Sequence, residues 1–328
     1  MVRLLAVTAL VLALFAAPSF AGDVGFVEVK IGNGAEPPLT AGIWYPTHAP
    51  AIVRSLGNHT QLVAEDAPIE GHDLPLIVMS HGGGGWYDSH YDTALALAHA
   101  GFVAAAVSHA GDTFDDQSHV LQLWRRPMQL RRLVDYMLAK WSGREHLDKA
   151  RIGAFGFSNG GFTVLVAAGG VPNLSEMAPY CRAHPDHDLC QALKTAGVDL
   201  NLSMSVPADA WVSDPRIKAV VIVAPAFGFT FGRTGLSGVG VPVQLWRAAD
   251  DHHQPHPYYE EAVRANLRRS PEYHVVANAG HYDFLPPCDA RLTRKAPALC
   301  ASGPGFDRSR FHEEFNAEVV RFFQAELR

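Results

Sequence analysis

Ser158 lies at the centre of a Gly-Phe-Ser-Asn-Gly run. A serine hydroxyl becomes a strong nucleophile only where it is exposed and a base lies within hydrogen-bond reach. A sharp turn from a strand into a helix provides this exposure, and Gly156 and Gly160, which lack Cβ atoms, let the two elements approach closely. The apolar segment 151–155 predicts the strand and 161–168 predicts the helix. Ser158 is therefore a candidate nucleophile; the alternative is a glycine-rich turn with an incidental serine.

A base and an acid are expected after such a serine, with the acid first along the chain and the histidine second. Asp250 and Asp251 directly follow the predicted strand 241–246, and both are candidate acids. Asp251 is preferred because Pro255, four residues later, is typical of the turn at this place. His281 follows a glycine in the loop after the last predicted strand, which is the position expected for the general base.

The remaining histidines predict no metal site. The chain has 17 histidines, and the groups that attract attention are His252, His253 and His256 in one loop and His184 and His187 in another. A histidine-rich loop is usually solvated, and the H-E-x-x-H spacing of a catalytic zinc site does not occur. We therefore assign no metal.

Four consecutive glycines at 82–85 follow the predicted strand 74–80. Hydrolysis of an acyl group passes through a negatively charged oxygen, which backbone N–H groups stabilise. Gly83 and Asn159, the residue after the candidate nucleophile, are the predicted donors. The alternatives are a hinge and a phosphate-binding loop, but the Lys-Ser/Thr pair of such a loop is absent.

The elements that must position these residues alternate between short apolar runs and helical patterns, which predicts a mostly parallel sheet flanked by helices. Beyond the strands at 74–80, 151–155 and 241–246 and the helix at 161–168, we predict an antiparallel pair at 26–30 and 40–45, strands at 102–108, 219–224 and 273–276, and helices at 128–138, 260–267 and 311–327. Residues 171–215 interrupt the pattern and predict a small cap after the nucleophile helix or, equally, a surface excursion. We predict one domain over residues 22–328.

Composition excludes several classes of protein. The chain has 328 residues, of which 48% are apolar and 18% charged, and its net charge is -6. It is long enough for a large core, and no basic cluster indicates a nucleic-acid partner.

The first 21 residues have the pattern of a secretion signal. Arg3 precedes the apolar stretch 4–17, which is too short to cross a bilayer comfortably, and Ser-Phe-Ala at 19–21 is typical of a cleavage site. The alternative is a buried or anchoring helix. We expect cleavage, and a secreted or periplasmic protein with no stable membrane anchor.

The four cysteines remain in the exported chain, where an even number predicts disulfides. Proximity favours Cys181 with Cys190 and Cys288 with Cys300. Free buried thiols are the alternative, and the spacings are too wide for a typical zinc site.

Taken together, the chain resembles the dienelactone hydrolase-like branch of the α/β-hydrolases, which includes the platelet-activating-factor acetylhydrolases. The matching segments are P-L-I-V-M-S-H-G-G-G-G at 75–85, A-G-F-V-A-A-A-V-S-H-A-G-D-T at 100–113, I-G-A-F-G-F-S-N-G-G at 152–161, 219–225, 248–255, 280–285 and G-F-D-R-S-R-F-H-E-E-F-N at 305–316. The resemblance implies an α/β-hydrolase fold, a Ser158–Asp251–His281 triad and hydrolysis of carboxylic esters without a cofactor. True dienelactone hydrolases use a cysteine nucleophile, and the family commonly has a larger residue at the place of Gly83.

The expected partner is a small-molecule ester, with Trp86, Tyr87, Phe227 and Phe229 lining its pocket. Plain core packing is the alternative for these aromatic residues. Two other functions stay open: depolymerisation of polyesters or cell-wall esters from an open cleft, and binding without catalysis on a hydrolase fold. The sequence leaves the acyl length, the leaving group and the oligomeric state open.

Overall fold

The computed structural model describes residues 22–199 and 206–328, so the predicted signal lies outside the described residues. Within these described residues, ten strands form one sheet in the order β10-β9-β8-β7-β5-β6-β2-β1-β4-β3. They are β1 (Asp23–Asn33), β2 (Glu36–Thr47), β3 (Ile52–Leu56), β4 (His59–Glu65), β5 (Leu74–Ser80), β6 (Val103–Val107), β7 (Leu147–Phe157), β8 (Ile217–Val223), β9 (Val243–Ala248) and β10 (Glu272–Val276).

The sheet is mostly parallel, as predicted. Strands β6, β5, β7, β8, β9 and β10 pair in parallel, whereas β2 runs antiparallel to both β1 and β6. Parallel strands end at a common edge, so the loops after β5, β7, β8, β9 and β10 are brought close together there. This edge carries the candidate residues from five separate segments.

Helices cover both faces of the sheet. They are α1 (Tyr91–His99), α2 (Arg125–Ala139), α3 (Asn159–Ala167), α4 (Met177–Ala183), α5 (Asp188–Thr195), α6 (Glu260–Asn266), α7 (Ala290–Lys295), α8 (Pro297–Cys300) and α9 (Arg308–Glu326).

Strand β5 shows why the strands read as continuous apolar runs. Leu76 and Val78 belong to the core formed with α2, α3 and α6, and Ile77 and Met79 belong to the core formed with α1 and α9. Successive side chains of a strand point to opposite faces, so a strand covered on both faces is apolar at every position.

The β3–β4 hairpin was not predicted from the sequence. Ile52, Val53 and Leu62 in these strands are exposed, and β3 is the edge strand of the sheet. Their pattern therefore lacks the buried alternation that identifies a strand covered on one face.

Two disulfides have the pairing predicted from proximity. Cys181–Cys190 joins α4 to α5, and Cys288–Cys300 closes a segment that contains α7 and α8. In the described part of the chain, no helix combines the length and apolarity needed to cross a membrane.

Candidate active site

Ser158 occupies a sharp turn between the end of β7 and the start of α3. Its backbone has φ 56° and ψ −118°, a conformation that a residue with a Cβ adopts at a cost of about 1–3 kcal/mol. Two hydrogen bonds hold it: the Ser158 N–H donates to the Val223 carbonyl at 2.9 Å, and the Ala226 N–H donates to the Ser158 carbonyl at 3.0 Å. Strand β8 and its following loop therefore hold the turn, and the side chain faces the cavity described below.

Glycines flank this turn because backbone fills the space of their missing side chains. A Cβ on Gly160 would overlap the Ser80 carbonyl oxygen, and a Cβ on Gly156 would overlap the Gly160 carbonyl oxygen. The close approach of strand and helix expected from the sequence is present at both positions.

A continuous hydrogen-bonded chain joins Ser158, His281 and Asp251. His281 Nε2 lies 3.1 Å from Ser158 Oγ, and His281 Nδ1 lies 2.7 Å from Asp251 Oδ2. A carboxylate only accepts hydrogen bonds, so Nδ1 carries the proton and Nε2 is left to accept from the serine hydroxyl. Asp250, the other candidate acid, is exposed and makes no hydrogen bond or ion pair with His281 among the described residues.

Asp251 stays ionised although it is buried. Burial by itself would raise the pKa of this carboxyl, but the charge and hydrogen bond of His281 and the Gln254 N–H, 2.8 Å from Oδ1, outweigh it and hold the pKa below its usual range. An ionised Asp251 can orient the imidazole and stabilise its protonated form.

The predicted oxyanion donors stand beside the serine. Gly83 and Asn159 both line the same cavity as Ser158. Within residues 22–199 and 206–328, neither of their N–H groups donates to a protein acceptor. The next two glycines differ: the Gly84 N–H donates to Asp112 at 2.8 Å, and the Gly85 N–H donates to the Gly82 carbonyl at 3.2 Å.

A buried ion pair that sequence reasoning missed holds the glycine loop. Asp112 and Arg126 are almost fully buried and pair directly with each other. Asp112 Oδ1 accepts the Gly84 N–H, and Arg126 donates to the His81 carbonyl at the start of the loop. The ion pair is therefore hydrogen-bonded to the loop on both sides of Gly83.

The same ion pair reaches the first turn of α3. Arg126 Nε donates to Thr163 Oγ1 at 3.1 Å, and Thr163 Oγ1 donates to the Asn159 carbonyl at 2.7 Å. Asn159 Nδ2 lies 3.5 Å from Asp112 Oδ2. One network therefore sets the separation of the two predicted donors. Asp112 belongs to the segment 100–113 that resembles the family. Its pairing with Arg126, which lies 14 residues later in a helix, could not be predicted from a local pattern.

Ser158 opens into a cavity of about 370 Å³. His281, Gln254, Tyr259 and Phe227 line it together with the glycine loop, and so do Asp188, Leu189 and Ala192 of α5. Part of the predicted cap segment is thus one wall of the cavity. Of the four predicted pocket aromatics, Phe227 lies in this wall and Trp86 lies in an adjoining cavity.

Tyr87 and Phe229 line neither cavity, which corrects the expected pocket. Tyr87 is buried in the core, and its hydroxyl donates to Glu28 at 2.8 Å. Phe229 stacks on Tyr180 with ring centroids 3.8 Å apart. Tyr87 directly follows Trp86, which does line a cavity, but successive side chains point in different directions.

Two further polar groups reach the site. Gln254 is buried, and its Nε2 lies 3.3 Å from Ser158 Oγ, so this residue contacts both the nucleophile and, through its backbone, Asp251. His253 Nδ1 lies 2.7 Å from Asp188 Oδ2 and joins the acid loop to α5. No role for Gln254 was predicted from the sequence, because only the fold brings this residue to the serine.

Comparison with known proteins agrees with the architecture. Neither a protein-family model nor a curated protein matches the sequence. A ferulic acid esterase from Streptomyces cinnamoneus matches over 95% of this chain and 94% of that chain, with a TM-score of 0.62 and 17% identity. A dienelactone hydrolase from Anabaena variabilis matches over 92% of this chain and 98% of that chain, with a TM-score of 0.52 and 16% identity. The chain has an α/β-hydrolase fold.

Proposed function

We propose that this protein is a serine hydrolase that cleaves small carboxylic esters through an acyl-enzyme. The observation that carries the proposal is the chain of hydrogen bonds from Ser158 through His281 to the buried Asp251, beside the N–H groups of Gly83 and Asn159. A nucleophile, a base, an orienting acid and oxyanion donors are the parts that acyl transfer needs.

The mechanism follows from these positions. Ser158 Oγ attacks the ester carbonyl while His281 Nε2 takes its proton and then delivers it to the leaving alcohol. Asp251 keeps Nδ1 protonated and stabilises the imidazolium, and the N–H groups of Gly83 and Asn159 bind the oxyanion. Water then repeats the sequence on the acyl-enzyme, which releases the acid and restores Ser158.

The walls of the site favour a small ester over a polymer. Helix α5 contributes Asp188, Leu189 and Ala192 to a cavity of about 370 Å³, which is the size range of small-molecule sites. A depolymerase would need an open cleft along which a chain can lie. The structural neighbours, a ferulic acid esterase and a dienelactone hydrolase by name, support ester chemistry on this fold.

Export is part of the proposal. Two disulfides form preferentially in oxidising compartments, and the pattern of residues 1–21 is that of a cleaved signal. We therefore place the activity in the periplasm or outside the cell.

The decisive experiment combines a fluorophosphonate probe with hydrolysis of a short-chain aryl ester. Wild-type protein and a Ser237→Ala control, in which an exposed serine outside the cavities is removed, are expected to label and to hydrolyse equally. Ser158→Ala is expected to lose labelling, and its hydrolysis should fall by several orders of magnitude. Undiminished hydrolysis by Ser158→Ala contradicts the proposal, and absent labelling of the wild type favours a non-catalytic binding protein.

A further inference from the structure

A second cavity of about 260 Å³ adjoins the one that contains Ser158. We call it the side chamber, and the residues that line it but not the first cavity include Trp86, Phe114, Leu292 and Ala296. The two cavities share five lining residues: Gly84, Gly85, Ser89, Leu285 and Leu299. A group bound in the side chamber would therefore lie beside the glycine loop and next to the cavity that contains Ser158.

The lining of the side chamber is mainly apolar. Trp86 and Phe114 meet edge to face with ring centroids 5.4 Å apart. Leu292 and Leu299 add aliphatic surface from the opposite segment. Phe114 is 57% exposed, which is unusual for a phenylalanine and leaves its ring available to a ligand.

Several polar groups in the wall of the side chamber are already paired with one another. His59 Nδ1 lies 3.1 Å from Asp88 Oδ2, and the Asn58 N–H donates to the same carboxylate oxygen. Lys295 lies at an exposed position of the wall. A ligand group that enters the chamber thus meets mainly carbon surface, which favours an apolar group.

A disulfide and two hydrogen bonds hold the outer wall of the side chamber. The Cys288–Cys300 disulfide closes the segment that carries Leu292 and Ala296. Arg308, at the start of α9, donates to the Leu299 carbonyl at 2.8 Å and to the Ala301 carbonyl at 3.0 Å. A wall tied at these points keeps its shape, so binding does not have to order it.

We propose that the side chamber binds an aryl group of the ester substrate. An apolar cavity of about 150 Å³ holds benzene, so a chamber of about 260 Å³ accommodates a substituted ring. The Trp86 and Phe114 rings can contact such a ring edge to face or in offset stacks. This inference rests on the proposed ester hydrolysis, because it assigns one half of that substrate to a place beside Ser158.

The test fills the chamber and compares three esters: methyl hydrocinnamate, with its ring in the acyl half; phenethyl acetate, with its ring in the alcohol half; and ethyl acetate, with none. Ala296→Phe is expected to lower kcat/KM at least tenfold for one of the two aryl esters and less than twofold for ethyl acetate. The aryl ester that loses activity identifies the half that the chamber binds. Ala298→Phe, on an exposed position of the same segment that lines neither cavity, is the matched control and should leave all three values unchanged.

Leu292→Trp fills the chamber from a second position and must give the same selective loss. An equal loss for all three esters, or the lack of a selective aryl-ester loss in one of the two filled variants, overturns the inference.

A binding measurement separates this inference from the proposed function. Calorimetry with benzylacetone, a ketone that cannot be hydrolysed, is expected to show binding at least tenfold weaker to Ala296→Phe than to the wild type. Equal affinity, or no binding to the wild type, overturns the aryl assignment. Retained hydrolysis by Ser158→Ala instead contradicts the proposed mechanism, and leaves the calorimetric result to decide the chamber on its own.

Discussion

Asp112 holds the glycine loop through the Gly84 N–H and also pairs with Arg126, so replacing it by asparagine tests whether the ion pair positions the oxyanion donors. Asparagine keeps the size of the side chain but has one oxygen in place of two. That oxygen can serve either Gly84 or Arg126, and the buried guanidinium loses its counter-charge. The predicted consequence is a shift of the loop that carries Gly83, while Ser158, His281 and the cavity walls remain.

Two separate losses are expected for Asp112→Asn, one in folding stability and one in kcat. Removing one member of a buried ion pair costs about 3–5 kcal/mol of folding stability, because the other charge stays buried without compensation. Complete loss of one oxyanion donor costs about 2.7–4 kcal/mol of barrier, so a displaced Gly83 N–H is expected to lower kcat by about 10- to 1,000-fold. Because the oxyanion exists only during the reaction, kcat should fall while KM changes little.

The assay is steady-state hydrolysis of an aryl ester at 25 °C, with denaturant unfolding of the same samples to establish the folded fraction. Asp214→Asn is the matched control, because Asp214 is also buried and paired with an arginine, Arg216, but precedes β8 at the edge of the sheet away from Ser158. It should lose stability with kcat unchanged. If the kcat of folded Asp112→Asn stays within twofold of the wild type, the ion pair does not position the donors.

Three further predictions concern the backbone, pH and the disulfide. Gly160→Ala should reduce stability by about 1–3 kcal/mol or more and impair hydrolysis, because the new Cβ would overlap a carbonyl oxygen of β5. The control is Gly232→Ala, which has open space around it and should be nearly neutral in the same unfolding and rate assays. Burial, and then the nearby charge of Asp251, raise the pKa of Glu260 well above its usual 4.5, and neither of its carboxylate oxygens has a hydrogen-bond partner in the described chain. The stabilising contribution of Glu260 is therefore present below pH 4.5 and is lost as pH rises towards the folded-state pKa, by up to about 1.4 kcal/mol per pH unit. The unfolding free energy of Glu260→Gln should therefore increase relative to that of the wild type as pH rises. A difference between the two proteins that does not depend on pH would contradict this. Replacing Cys288 and Cys300 by serine should cost about 3 kcal/mol in the chain-entropy estimate and weaken benzylacetone binding, and unchanged binding would show that the disulfide does not maintain the side chamber.

Much of the fold was predictable because the signals are local. Strand β5 was predicted with its exact bounds, and the helix after Ser158 was predicted within two residues at its start. A buried parallel strand is apolar at every position, and a glycine-flanked serine marks a tight turn, so neither needs information from distant parts of the chain. The exposed β3–β4 hairpin lacks such a signal and was missed.

The candidate site was predictable only in part. The order of serine, aspartate and histidine singled out Ser158 and His281, but the choice between Asp250 and Asp251 depended on which carboxylate faces the imidazole. The tertiary structure brings Asp251 to 2.7 Å from His281 and leaves Asp250 exposed. Gln254 reaches the serine only because the loop after β9 folds back over the cavity.

The proposed chemistry of the chain was therefore readable from short stretches, in which residue type and spacing define a strand, a turn or a candidate nucleophile. The environment of that chemistry was decided by packing. Asp112 and Arg126 lie 14 residues apart and meet under a loop formed by a third segment, and Trp86 and Leu292, which are distant in sequence, line the same side chamber. Such contacts depend on which strand edges meet and on the direction of each side chain, and no local pattern records either.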